Sequence, residues 1–326
     1  MTNTERKKEQ IAVVLLNLGG PEKLADVRPF LYNLFSDRQI IRLGPSFMQK
    51  PLAWMIARRR ASKSQGYYEQ IGGGSPLNKI TAEQCAALEN NLRKESADFK
   101  VFMAMRYWQP FAKETLDRIT SVGITKIIAL TLYPHYSIAT TGSSLFDLKK
   151  TAAALQKPLE IIDIEAWPDQ PKYINCLSTR ILGGLGNASE KTAVVYSAHS
   201  LPVKFIQEGD PYVEHLKKTI QAIEEQTHVQ GHLCFQSRSG PVEWLSPSTP
   251  DMLEQLAGEG CKRILMVPIS FVSDHVETLC EIDIQYREQA ESLGMYFART
   301  PSLNTDPRFI AGLAELVRET CQKKGW

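Results

Sequence analysis

The chain has no long apolar run, almost no net charge and no paired cysteines. No stretch approaches the roughly 18 apolar residues that a membrane span requires, so a spanning protein is excluded. The six cysteines, at 85, 176, 234, 261, 280 and 321, include no C-x-x-C and no close pair. That excludes a zinc knuckle and a disulfide framework, and it fits a reducing, cytoplasmic setting. Lys and Arg number 38 against 36 Asp and Glu, a balance of +2, so charge alone gives no reason to expect a nucleic-acid partner. Two glycine-rich segments lack what a phosphate loop needs. GGGSP at 72–76 has no following Lys-Ser/Thr, and NLGGP at 17–21 lacks the G-x-G-x-x-G spacing. Arg6, Lys7 and Lys8 precede the apolar residues Ile11 to Leu16 in the manner of an export signal. That run is too short and no small-residue cleavage site follows, so export is not expected.

What is present is an ordinary globular composition, with 43% hydrophobic and 23% charged residues over 326 positions, enough for two domains. Short Val- and Ile-rich runs at 11–16, 101–105, 126–132, 160–164, 193–197, 232–235 and 262–268 alternate with amphipathic segments such as 111–122, 211–227 and 249–259. This is the pattern of parallel strands buried on both faces, so the expected class is α/β. Gly123 and Gly260 each close an amphipathic segment as a C′ glycine does. The segment Val13–Pro21 (VVLLNLGGP) is echoed by Val194–Pro202 (VVYSAHSLP), which sets Leu18 and His199 at equivalent strand ends. The echo reads either as two related lobes in tandem or as the likeness that any two parallel βα units share.

Polar residues gather just after the strands: Asn17, Arg106, His135, Ser137, His199, Gln236 to Arg238, and Asp274 to Glu281. Open α/β sheets bind ligands outside the carboxyl ends of their strands, so a cleft site is expected there. His199 is either a general base held by rigid backbone or a strand-end histidine bonded to a neighbouring loop. Ser273 or Asp274 caps a predicted helix on which Glu277 and Glu281 share a face, with His275 near and Asp283 off it. Hard oxygen and imidazole groups of this kind suit Fe(II) or Mg(II), and a solvated acidic face is the plain alternative. TTGSS at 140–144 reads as a helix cap. The segment 45–60, PSFMQKPLAWMIARRR, is either a core helix with a basic C-terminal end or a surface that meets a membrane or an apolar ligand with acidic arms.

Seven segments together resemble the ferrochelatase family: LLNLGGP (15–21), IGGGSP (71–76), MRYWQP (105–110), TLYPHYSIATTGSS (131–144), YSAHSLP (196–202), GDPY (209–212) and PISFVSDHVETLCEID (268–283). They stand in family order and span most of the chain. The resemblance implies two Rossmann-like, chelatase-type lobes, each a parallel sheet flanked by helices, with a porphyrin cleft between them. The lobes expected are 1–145, joined by the C-terminal helix 305–326, and 146–304. It implies insertion of Fe(II) into protoporphyrin IX to give protohaem, with release of two protons. Coproporphyrin III or another tetrapyrrole is the alternative substrate, and a non-catalytic tetrapyrrole-binding protein the alternative class.

The resemblance further implies His199 and Glu277 as catalytic residues, and His199, Glu277 and Glu281 as groups that meet the metal. Leu18, Arg60, Tyr68, Ser75, Arg106, Tyr136, Ser137 and Phe271 would contact the porphyrin, and Asp274, His275, Glu281 and Asp283 would relay protons or metal. Cluster-bearing relatives carry a Cys where this chain has Ile138 and add a Cys-rich tail, so no 2Fe–2S cluster is expected and no cofactor is required. Gln285 stands where some relatives have Glu, and NLGGP resembles the protoporphyrin-using branch. A monomer is expected, cytoplasmic or peripheral at the inner face of a membrane through 45–60.

Overall fold

The computed structural model describes residues 10–93, 98–186, 192–238 and 240–326. Arg6, Lys7 and Lys8 lie outside the described residues. Eight parallel strands form two sheets. The first contains β1 (Gln10–Asn17), β2 (Asp98–Met105), β3 (Lys126–Thr131) and β4 (Glu160–Ile164) in the order β2-β1-β3-β4. The second contains β5 (Thr192–His199), β6 (Gly231–Gln236), β7 (Arg263–Pro268) and β8 (Tyr296–Arg299) in the order β6-β5-β7-β8. The two orders are identical once β5 is matched to β1, so the sequence echo corresponds to a repeated topology.

The central strands are apolar on both faces because helices cover both. Ile11 to Leu16 are at most 1% exposed. Leu116, Ile119, Leu145 and Leu148 close one face of the first sheet. Leu88, Leu92, Phe309, Leu313 and Val317 close the other, in a core that continues through Tyr173 and Leu177 to Val194 and Leu265 of the second sheet. The helix Pro307–Lys324 thus packs on the helix Leu77–Leu92 and on β3 and β4, and also meets the helix Pro171–Leu185. Gly123 and Gly260 adopt φ of +84° and +80°, the left-handed conformation that ends a helix.

Three expectations change. β4 belongs to the first sheet, so that sheet runs past the boundary expected after 145. β8, a short edge strand with Tyr296 exposed, lacks the continuous apolar run by which the other strands were found. TTGSS does not cap a helix. Ser137 is the cap, its Oγ accepting from the Ala139 N–H, and a π-helical turn, Ile138–Gly142, leads directly into the helix Ser143–Ala153.

Candidate active site

The glycine segments approach each other. A Cβ on Gly20 would sit 2.6 Å from the Ser75 side chain, and one on Gly74 would sit 2.1 Å from the Glu22 carbonyl oxygen. The Ser75 N–H donates to the Pro21 carbonyl at 2.7 Å. NLGGP and GGGSP are therefore one interlocked floor beneath Leu18, and Ser75 is part of it. Leu18 lines a small cavity with Phe271 and His275 of the second lobe, beside Asn17 and Tyr133. The helix Gln49–Gln70 bridges the lobes: its Tyr68 shares an apolar cluster with Tyr107, Leu18 and Val276. Burial and the nearby Glu277 charge push the Tyr68 phenol well above its ordinary value.

His199 ends β5, its N–H donating to Ser270 Oγ at 3.0 Å and its carbonyl accepting from Tyr212 Oη at 3.0 Å. Its Nδ1 lies 2.9 Å from Glu277 Oε2. Because the carboxylate accepts, Nδ1 carries the proton and Nε2 keeps a lone pair. Burial opposes protonation of His199, but the charge and hydrogen bond of Glu277, with Glu281 behind, outweigh it and raise its pKa. Glu277 is correspondingly held well below the usual carboxylate range: burial opposes its ionisation, and His199 and His275 favour it.

The surroundings fix this pair. Gln236 Nε2 donates to Glu277 Oε2 at 3.0 Å, while Gln236 Oε1 accepts from Ser197 Oγ at 2.5 Å. His275 Nδ1 donates to the Ser273 carbonyl at 3.0 Å, leaving its buried Nε2 unpartnered 3.9 Å from Glu277 Oε2. Phe271 stacks 4.2 Å from the His275 ring and meets His199 edge-on at 6.2 Å. Glu281 accepts from Ser237 Oγ at 2.6 Å. Burial and the Glu277 charge push Glu281 up to about 7, so it holds or releases a proton near neutrality. Both acids stand on a π-helical stretch, Glu277–Tyr286, a conformation that recurs at functional sites.

Other expected site residues are placed differently. Asp274 accepts from Ser302 (2.7 Å), Asn304 (2.9 Å), Thr278 (3.1 Å) and Arg299 (3.2 Å), and Arg299 grips Asp283 with two bonds at 2.7 and 2.8 Å. These two aspartates are tied by Arg299 at the start of the π-helix and within it. Arg106 Nη2 binds Asp37 Oδ2 at 2.7 Å and its Nε donates to Ser143 Oγ at 2.7 Å, so its guanidinium is engaged within the first lobe. Burial opposes ionisation of Asp37, but Ser143 and Arg106 more than offset this and keep it a carboxylate. Ser137 is fully buried and donates to Asp210 Oδ2 at 2.8 Å, which makes it part of the junction between lobes. Tyr136 lines a separate cavity with Arg38 and Arg42. Arg60 is exposed, its Cζ 5.6 Å from the Phe35 ring centroid.

Gln236 and Ser237, expected near the site from their strand-end position but without a role, hold the two acids, and Tyr212, Ser270 and Arg299 are supports that the sequence did not single out. Position at the carboxyl end of β6 was the available signal for Gln236 and Ser237; Arg299 had none, because β8 itself was not visible. Among the described residues no group of three His, Cys, Asp or Glu side chains is gathered into a metal cage.

A family model described as Ferrochelatase matches residues 10–321. The protein named Ferrochelatase from Desulfotalea psychrophila is 60% identical over 309 residues, covering 94% of this chain and 96% of its own. That of Geotalea uraniireducens is 51% identical, covering 96% of this chain and 98% of its own. Among solved structures, SirB from Bacillus subtilis with Fe3+ superposes with a TM-score of 0.55 at 14% identity, covering 97% of this chain and 98% of that one. A cobalt complex of the sirohydrochlorin chelatase SirB gives 0.56, again at 14% identity and covering 96% of both chains. At that identity the likeness shows a shared two-lobed fold. A family match over almost the whole chain, with the carboxylate-backed histidine of the cleft, carries the conclusion: the chain belongs to the ferrochelatase family, whose members insert iron into a porphyrin in haem synthesis.

Proposed function

We propose that His199 is the base of this reaction and that protoporphyrin IX is the porphyrin. The observation that carries the first half is the 2.9 Å contact of Nδ1 with Glu277, which leaves Nε2 as the free acceptor of the neutral ring. Each turnover replaces two pyrrole N–H protons by one ferrous ion. Nε2 takes the two pyrrole protons one after the other as the iron–nitrogen bonds form, passing the first on before it accepts the second, and Glu277 stabilises each imidazolium. Glu281 receives the proton through the Glu277–His275 cluster and releases it toward Ser237. Its position near neutrality suits a carrier that must load and unload at each turnover. The same carboxylates replace water on the incoming ferrous ion, which here is substrate and needs no resident cofactor.

Leu18, Phe271 and Tyr68 supply the apolar walls for the macrocycle, and exposed Arg60 at the lip is the cation for a propionate. Arg106 acts from behind by bracing Asp37 and Ser143. Apolar Leu18 above the NLGGP floor favours protoporphyrin, whose vinyl groups replace two of the four propionates of coproporphyrin III. Phe47, Trp54 and Met55 are 78%, 48% and 53% exposed beside Arg28 and Arg58, a surface suited to peripheral membrane contact by a monomer acting in the cytoplasm. No helix among the described residues is long and apolar enough to cross a membrane.

The test is anaerobic incubation with Fe(II) and either protoporphyrin IX or coproporphyrin III, following the metalloporphyrin Soret band. Faster turnover with protoporphyrin, abolished in His199→Ala while porphyrin binding persists, is the expected result. Preference for coproporphyrin overturns the substrate assignment, and full activity of the variant overturns the base.

A further inference from the structure

A second cavity lies outside the cleft. It encloses about 440 Å³, within the range of small-ligand sites, and opens on the first lobe. Its walls come from the 38–42 loop, from Tyr136 and Ile138 after β3, and from Gly142 and Phe146 around the start of the helix Ser143–Ala153. The buried network of Asp37, Arg106, Tyr107 and Ser143 lies between this cavity and Leu18.

The arginine loop is prebuilt. Arg38 Nη1 donates to the Gly44 carbonyl at 2.9 Å and to Gln49 Oε1 at 3.2 Å. Gln49 is only 3% exposed and ties the loop down, donating to the Phe35 and Ile41 carbonyls at 2.7 and 2.8 Å. Arg42 is exposed, and no hydrogen bond or ion pair engages it among the described residues. None of the side chains that line the cavity is acidic, and both Arg38 and Arg42 line it. Gln39 Oε1, also in the wall, is buried without a donor. The opposite rim is apolar, with Ile138 46% and Phe146 53% exposed, and Lys150 Nζ stands 6.0 Å over the Phe146 ring.

We propose that this cavity binds a small amphipathic anion, with a carboxylate or phosphate head between Arg38 and Arg42 and an apolar body on Ile138 and Phe146. A guanidinium pair recognises such a head by charge-assisted hydrogen bonds. The flat apolar rim selects a ligand with a hydrocarbon or aromatic body over a bare inorganic anion. A free amphiphile and the headgroup of an anionic lipid share this chemistry.

Isothermal titration of the full chain with octyl phosphate tests the site, with inorganic phosphate as comparison and Arg42→Gln and Phe146→Ser as variants. Both substituted residues are exposed and lie outside the machinery assigned to iron insertion, so insertion rates serve as the folding control. The expected result is one saturable site for octyl phosphate, weakened about tenfold in Arg42→Gln and several-fold in Phe146→Ser, with inorganic phosphate weaker than octyl phosphate. A parallel arm measures sedimentation with phosphatidylglycerol or phosphatidylcholine vesicles. Binding of free octyl phosphate without vesicle preference marks a soluble ligand. Phosphatidylglycerol-dependent binding lost in Arg42→Gln marks a lipid headgroup, and either supports the site. Absence of binding in both arms, or binding that neither substitution weakens, overturns it. Inorganic phosphate binding as tightly as octyl phosphate overturns the apolar half.

Discussion

The two lobes share a sheet order and differ in what stands at the end of the central strand. After β1 the chain offers Asn17 and Leu18 above an interlocked glycine floor; at the end of β5 it offers His199, backed by Gln236, Glu277 and His275. One scaffold, used twice, carries an apolar side chain on one side and, in the proposed function, the proton chemistry on the other. The parallel extends to the arginine clamps. Arg106 braces Asp37 in the first lobe, and Arg299 braces Asp274 and Asp283 in the second. The first clamp holds the wall and the second holds the helix that carries the acids.

The sharpest way to break this division is to exchange the equivalent residues. His199→Ala is expected to lower kcat about a thousandfold with porphyrin affinity retained, and adding Leu18→His is expected to restore nothing. Anaerobic initial rates and porphyrin fluorescence titration check both. Next in size, Arg299→Ala strips the partner from two partly buried aspartates and is expected to cost about 2–4 kcal/mol of stability, read by denaturant unfolding. Arg299→Lys, which keeps the charge but not the two-bond grip on Asp283, is expected to recover only part of it.

The pH profile sharpens the contrast further. As the proposed base, His199 works deprotonated, so the rate is expected to rise with pH through its raised pKa. Glu277→Gln removes the larger of the two charges that raise it, leaving Glu281 alone against burial, and is expected to lower the rate and move that limb to lower pH. Glu281 titrates near 7 in the fold against 4.5 for its ordinary value, so the fold penalises its ionised form. Stability is therefore unaffected below about 4.5 and lost as pH rises toward 7. Glu281→Gln is expected to raise stability at pH 8 by about 1–2 kcal/mol and to leave it unchanged at pH 4, measured by unfolding at both values. The smallest effect is expected on the wall: Leu18→Ala raises the porphyrin KM several-fold, with kcat within about twofold, from roughly 1–2 kcal/mol of lost apolar contact.

Seven of the eight strands among the described residues were legible because each contains a short apolar run, and β8, four residues reading YFAR, was not because it has none. The spacing of Glu277 and Glu281 put both acids on one face, and the structure places both beside His199. What spacing could not show was who binds whom across the chain. Asp274 and Asp283 have the composition of a relay, yet Arg299, arriving from a different strand, occupies their oxygens. Arg106 has the chemistry of a propionate grip, but Asp37, 69 residues earlier, engages it. A side chain's type says what it is able to do; only its partners determine what it has left to offer.

The helix Pro307–Lys324 closes an apolar face of the first sheet from the far end of the chain. During synthesis the four strands of that sheet are complete at Ile164, while their cover is still unmade. At about 5–20 residues per second, the interval before Lys324 follows is on the order of ten to thirty seconds. For that time the faces of the helix Leu77–Leu92 and of β3 and β4 that the C-terminal helix covers stay exposed, which makes the nascent first lobe a natural client for a chaperone on the ribosome.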